Sequence, residues 1–309
     1  MNFKPILIVP GERDTIFYEI LFKSIKKFKF NSPLILVTSK KIFVNKMKKF
    51  FFKKKIELIN NIQYHKKFTN NKIYIINIDY KNKNYLNKCF KEAFKILKLG
   101  ITNKFINGPI NKSKFLNKKF LGITEYISKN FNIKNSAMLI FNKQLSVCPI
   151  TTHLPIKIVT KKINKKLIVQ KILLINNFYK TNFGFAPKIA ITGMNPHCES
   201  VLKFNEDEKI VAPAIKETKK QGLKVSGPFP ADTIFQVENR KKFDVIIGMY
   251  HDQVLGPFKT LYEFDAINIT LGLPFYRISP DHGPNEKMLH LNSSNPLSLI
   301  RALEFLDKK

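Results

Sequence analysis

The chain predicts an α/β fold built on a largely parallel sheet. Three observations carry this. Short apolar runs alternate with longer segments of helical periodicity. The apolar runs are nearly unbroken, as in strands covered on both faces. Three of them end in short histidine phrases, and in open α/β sheets the C-terminal strand edge is where ligands bind.

The elements follow in order. Pro5–Val9, Pro33–Thr38 and Lys72–Ile78 read as strands. Thr15–Phe30 and Tyr85–Leu99 read as helices, the second with Leu86, Phe90, Phe94 and Leu97 on one face. Lys104–Asn107 is a strand that stops at Gly108-Pro109. Leu145–Ile150, Lys188–Thr192 and Asp244–Ile247 are the three strands before the histidines. Between them, Asn164–Tyr179 and Asp207–Gln221 are helical, the second stopped by Gly222. Gly227–Thr233 is a Pro/Gly loop leading to Asp232, and Pro296–Leu306 closes the chain as a helix. With 309 residues, 44% of them hydrophobic, the chain is expected to form two domains.

Composition narrows the setting. No run approaches the ~20 apolar residues of a membrane span. The start lacks the charged head and long apolar run of a signal peptide. Cys89, Cys148 and Cys198 are few and scattered, which suits a reducing cytoplasm without disulfides. The formal charge is +32, and residues 1–150 hold 31 Lys/Arg against 7 Asp/Glu. The densest piece is Lys40–Lys55. Such charge could mark a phosphate backbone or an anionic membrane. Lys, Asn, Ile and Phe are over-used together, however, and no nucleic-acid motif accompanies them. Compositional drift is the preferred reading, with neither nucleic acid nor membrane as a specific partner.

The phrases are Thr151-Thr152-His153-Leu154-Pro155, Gly193-Met194-Asn195-Pro196-His197 and Gly248-Met249-Tyr250-His251-Asp252. Three imidazoles from three strand ends point to a catalytic divalent metal held by His153, His197 and His251, with coordination positions left open. A single histidine after a strand is usually a packing or surface residue; His65 and His290 are read that way. Asp252 could orient an imidazole. Asp232 could serve as acid/base or cap a helix beginning near Thr233. Cys198 could bind metal or simply pack. No Gly-x-Gly-x-x-Gly or Walker loop appears, so a nucleotide would not be held by the standard fingerprints.

TTHLP, GMNPH, GPFPADTIF, GMYHDQ with Lys259, NITLGLPFYR and DHG, in this order, resemble the 4-hydroxythreonine-4-phosphate dehydrogenases of pyridoxal 5'-phosphate biosynthesis. Asn107–Lys112 and Gly122-Ile123-Thr124-Glu125 resemble two further motifs of that family. The resemblance is strong from about residue 104 to 283 and weak before it. It implies an isopropylmalate-dehydrogenase-like fold of two α/β/α domains with an active-site cleft between them. Residues 1–122 with 266–309 would form the cofactor side. Residues 123–265 would form the metal, substrate and dimerisation side.

The resemblance also implies a homodimer with the active site at its interface and metal ligands shared between subunits. Its cofactors would be NAD, with NADP an open alternative, and Zn²⁺, Co²⁺, Mg²⁺ or Mn²⁺. Thr124, Lys259, Asn268 and Arg277 would bind a phosphorylated substrate; Asp232, Asp252 and Lys259 would serve catalysis. The cofactor is expected near Asp281, His282 and Gly283. The reaction would be oxidation at C3 followed by decarboxylation to 3-amino-2-oxopropyl phosphate. Related readings are a dehydrogenase of threonate or erythronate 4-phosphate, and a weakened metal-binding remnant. Three departures stand out: Ile123 where the family has His, a bulkier loop after Pro10-Gly11-Glu12, and Pro284-Asn285-Glu286-Lys287 where the family has small residues.

Overall fold

A computed structural model describes residues 3–65, 67–111, 115, 120, 122–200, 204–280, 288–289 and 291–308. The chain begins β1 (Ile6–Val9), α1 (Phe17–Lys27), β2 (Leu34–Thr38), α2 (Lys40–Lys49), β3 (Lys55–Leu58), β4 (Lys72–Asn77), α3 (Tyr85–Lys98) and β5 (Lys104–Asn107). It continues with α4 (Ile123–Asn130), β6 (Ala137–Phe141), β7 (Ser146–Thr151), α5 (Ile156–Lys162), α6 (Lys165–Phe183) and β8 (Ile189–Thr192). Next come α7 (Ala212–Lys220), β9 (Val225–Phe229), α8 (Val237–Arg240), β10 (Val245–Tyr250) and α9 (His251–Tyr262). β11 (Ile267–Leu271), β12 (Tyr276–Pro280) and α10 (Leu297–Leu306) complete it.

The elements group into two compact units. The first comprises Met1–Lys118, Phe264–Ile267 and Pro274–Lys309. Its strands run β3-β4-β2-β1-β5-β12, with every neighbouring pair parallel. Ile6, Leu7, Ile8 and Val9 are all fully buried, which explains their unbroken apolar run. Each such side chain contributes about 1.5–3 kcal/mol on burial. α3 buries the predicted Leu86, Phe90, Phe94 and Leu97. The lysine-dense segment forms α2, with Ser39 accepting from the Ile42 N–H as its N-cap. It buries only Phe43, so its lysines face water.

In this unit the loops after β1 and β5 meet backbone to backbone. A Cβ on Gly108 would lie 1.9 Å from the Pro10 oxygen, and one on Gly11 (φ +101°) 2.1 Å from the Pro109 oxygen. Only glycine fits either position.

The second unit comprises Lys119–Glu263 and Asn268–Leu273. Its strands run β11-β6-β7-β10-β8-β9; β7, β10, β8 and β9 are parallel and β6 is antiparallel to β7. α6 starts where the Asn164 side chain accepts from the Leu167 N–H and ends at Gly184 in the left-handed region, φ 77°. The helix expected from Asp207 begins instead as a π turn, Asp207–Val211, before α7. Pro213, in the first turn of α7, has no N–H to return to Lys209, so one regular helical bond is missing where the π turn gives way to α7.

Candidate active site at a strand edge

β7, β10 and β8 are adjacent and parallel. Ile247 of β10 is level with Cys148 of β7 and Ile191 of β8, and Tyr250 is level with Thr151. All three histidine phrases therefore leave the sheet at one edge. His251 opens α9 immediately after β10, and His153 follows β7 after one intervening residue. Their rings lie 6.2 Å apart between centroids, with planes 37° apart. His197 sits on an exposed turn, Pro196–Cys198, beyond β8. Among the described residues, no three His, Cys, Asp or Glu side chains converge where a metal could be held. The chain thus brings two of the predicted ligands together and leaves the third apart.

The chemistry of this pair fits a divalent cation. Asp252 Oδ1 lies 2.6 Å from His251 Nδ1. A carboxylate only accepts, so Nδ1 carries the hydrogen, and in the neutral ring the lone pair is then on Nε2. Beside the other ring, a Cβ at Gly122 would stand 2.8 Å from both His153 Nδ1 and Glu125 Oε2. Glycine thereby leaves room for the imidazole and the carboxylate to approach the same point. Glu125 Oε1 accepts from Thr152 Oγ1 at 3.4 Å. Its Oε2 is buried with no hydrogen-bond partner among the described residues.

Two groups fasten the strand ends. Gln253 Oε1 accepts from Thr192 Oγ1 (2.9 Å) and the Met249 N–H (2.6 Å), while its Nε2 donates to the Gly193 oxygen (2.8 Å). It stitches β8 to β10. Asp207, 1% exposed, accepts from the N–H groups of Met194 (2.5 Å) and Asn195 (2.9 Å) and from Asn195 Nδ2 (3.1 Å). Beyond that anchor, His197 (φ 55°) and Cys198 (φ 64°) are both left-handed. That conformation costs a non-glycine residue roughly 1–2 kcal/mol.

The remaining predicted residues are placed as follows. Asp232 is exposed in the turn 231–235; α8 starts later, at Val237 with Gln236 as its N-cap, so Asp232 does not cap it. Burial pushes the Cys198 thiol up, and the charges of Asp207 and Asp232 add to this. Asp232 thus lies within electrostatic reach of the His197 turn. Thr124 is in the first turn of α4, and Lys259 is exposed in the last turn of α9. Asn268 is in β11, its Oδ1 buried without a hydrogen-bond partner among the described residues.

In the first unit, Arg277 of β12 is 1% exposed and donates Nε–H to Asn107 Oδ1 at 2.8 Å. Asp281, His282 and Gly283 lie outside the described residues. Glu125, Asp207 and Gln253 received no role from the sequence. Gln253 and Glu125 stand inside quoted motifs, which was the available signal; Asp207 had only its place at a helix start.

The model of the family "Pyridoxal phosphate biosynthetic protein PdxA" matches residues 29–306. A 4-hydroxythreonine-4-phosphate dehydrogenase of Sulfurihydrogenibium sp. is 36% identical over 320 residues, covering 97% of this chain and 96% of its own. The crystal structure of the enzyme of that name from Klebsiella pneumoniae superposes with TM-score 0.82 at 25% identity, covering 98% of this chain and 97% of that one. A beta-decarboxylating dehydrogenase from Thermococcus kodakarensis, 10% identical, shares the fold with TM-score 0.53 over 98% of this chain and 82% of its own. The expected fold class therefore holds, and the chain belongs to the PdxA family of pyridoxal phosphate biosynthetic proteins.

Proposed function

We propose that the chain oxidises 4-phosphohydroxy-L-threonine at C3, passing a hydride to NAD, and that the resulting β-keto acid loses carbon dioxide to give 3-amino-2-oxopropyl phosphate. One observation carries the site assignment. Three parallel strands deliver three histidine phrases to one edge, with His153 and His251 rings 6.2 Å apart. A divalent metal (Zn²⁺, Co²⁺, Mg²⁺ or Mn²⁺) held by His153, His197 and His251 would supply a Lewis acid for the alcohol and for the ketone that follows. In this reading the ligand set is completed in a homodimer, because the described residues of one chain do not gather all three.

The chain's own groups do the rest. Asp252 holds His251 in the tautomer that leaves Nε2 open. Asp232, exposed to water and near the His197 turn, takes the hydroxyl proton. Thr124 donates to the substrate. Asn268 offers its buried Oδ1 to a substrate hydroxyl or ammonium. Lys259 supplies positive charge for the phosphate or carboxylate and steadies the developing anion. Arg277, seated by Asn107, contributes a fixed cation. The segment Asp281-His282-Gly283 is assigned to the nicotinamide nucleotide, within a cofactor side proposed for residues 1–122 and 266–309, of which Asn268–Leu273 pack in the second unit. Residues 123–265 form the metal and substrate side.

The test is NADH formation by the purified protein with 4-phosphohydroxy-L-threonine across a metal series. Turnover is expected only when a divalent metal is present. Activity confined to threonate 4-phosphate would move the substrate to that relative, and metal binding without either turnover would reduce the protein to a remnant. His197→Ala, at an exposed turn, should keep the fold and lose both metal and turnover. Full activity in that variant sinks the metal assignment.

A further inference from the structure

We infer that Asp207 is a positioning residue that sets His197 for metal binding; the inference rests on the histidine site proposed above. Both of its oxygens are used. Oδ1 accepts from the Met194 N–H at 2.5 Å, and Oδ2 accepts from the Asn195 N–H at 2.9 Å and Asn195 Nδ2 at 3.1 Å. Glu206 Oε2 takes the same Asn195 amide at 3.1 Å. Asp207 is 1% exposed, and its three donors are neutral amides. A buried carboxylate is a costly way to hold a fold together, since its charge must be desolvated. What the carboxylate gives in return is directional control of two successive backbone N–H groups.

Those groups lie directly before Pro196 and His197. The chain next turns through two left-handed non-glycine residues, His197 at φ 55° and Cys198 at φ 64°. Left-handed residues persist where surrounding contacts over-determine them. Asp207 is the contact that does so on the strand side. Gly193 lets it approach: a Cβ there would lie 3.1 Å from Asp207 Oδ1 and 2.6 Å from Cys198 Sγ. The π turn that starts at Asp207 is itself held in place, because Asn205 Oδ1 accepts from the Asp207 N–H at 2.9 Å. π turns within helices recur at functional sites. His197 is an exposed imidazole with no buried packing of its own, so its aim depends on this loop.

The experiment titrates Zn²⁺, and Co²⁺ as a spectroscopic probe, into wild type, Asp207→Asn, Asn195→Ala and Glu208→Gln. The carboxamide of Asp207→Asn presents an NH₂ to donors that need an acceptor. It should weaken metal affinity about 10–100-fold, the usual cost of losing an outer-shell partner, and alter the Co²⁺ absorption. Excess metal should restore turnover, and a wild-type far-UV spectrum in the metal-free variant separates weakened binding from a misfolded fraction, which metal could also rescue by mass action. Asn195→Ala removes one of the three donors and covers the case in which Asp207→Asn fails to fold; it should weaken metal binding about 3–10-fold, short of the full outer-shell cost. Glu208→Gln, exposed and next in sequence, should match wild type. Wild-type affinity and spectrum in both Asp207→Asn and Asn195→Ala overturn the role of Asp207 alone. If wild type takes up no metal, the histidine site fails and this role fails with it.

Discussion

A methyl group at Gly122 would sit 2.8 Å from His153 Nδ1 and from Glu125 Oε2, both of them distal side-chain atoms. The backbone there is extended, φ −161°, so alanine brings no conformational strain. The fold can absorb the methyl by moving those two side chains; if His153 is the metal ligand proposed above, it cannot be moved without cost to binding. Gly122→Ala should therefore change stability by less than about 1 kcal/mol while lowering metal affinity and kcat/KM about 10–100-fold. Urea unfolding and metal titration of the same sample would show it, and unchanged affinity would detach Gly122 from the site. The histidines could be read from sequence because each ends an apolar run in a repeated phrase. Asp207 could not, because its partners are backbone amides at 194 and 195, and backbone amides leave no trace in a sequence. Nor could the separation of His197 from the other two rings, which depends on a turn.

Where secondary-structure elements meet, Gln253 adds three side-chain hydrogen bonds to the backbone ladder between two site-bearing strands. Removing it leaves the Met249 N–H, the Thr192 hydroxyl and the Gly193 carbonyl to find new partners in a half-buried place. Each lost pairing costs about 1–3 kcal/mol, so Gln253→Leu should lower stability by about 3 kcal/mol with an unchanged urea m-value. β1 and β10 were legible from their apolar runs; β3 and β9 were not, because half-exposed residues and a Gly-Pro pair hide their period, and β6 went unmarked despite its apolar run. β5 carries a different signal. Lys104, 2% exposed, donates to Lys4 O and Ser32 Oγ at 3.3 Å and to Lys308 O. Burial pushes its ammonium down to about 8, with Asp307 opposing the shift. Between that value and about 10.4 the unfolded chain binds the extra proton, so stability rises with pH across this window. The cost of the buried charge is fully present below pH 8. Relative to Lys104→Met, wild type should gain on the order of 1–3 kcal/mol between pH 7 and 10.5, the full shift being reduced by solvent screening, read from paired denaturation curves. A flat difference would mean that Lys104 is solvated.

Over the whole molecule the dominant quantity is the charge of +32, of which residues 1–150 supply 31 cations against 7 anions. No helix among the described residues is long and apolar enough to cross a membrane. Among the described residues of the N-terminal stretch few lysines are engaged by carboxylates: Lys46 pairs with Asp14, Lys23 with Glu19, Lys72 with Glu57 and Lys95 with Glu92. Exposed pairs of this kind contribute only about 0–1 kcal/mol, so mutual repulsion among the rest outweighs them. Raising salt from about 0.02 to about 0.3 M shortens the Debye length from roughly 20 Å to under 10 Å. That should raise the melting temperature by a few degrees, on the order of 1 kcal/mol for a chain of this size. The same screening acts against capture of a phosphorylated substrate, so kcat/KM should fall with salt while kcat stays level. A dedicated nucleic-acid surface would behave differently. Binding to a random duplex should here collapse by 10³-fold or more between about 50 and 200 mM salt, as purely electrostatic contacts do. Sequence-selective binding that survives physiological salt would give the lysines a function of their own and displace drift as their explanation.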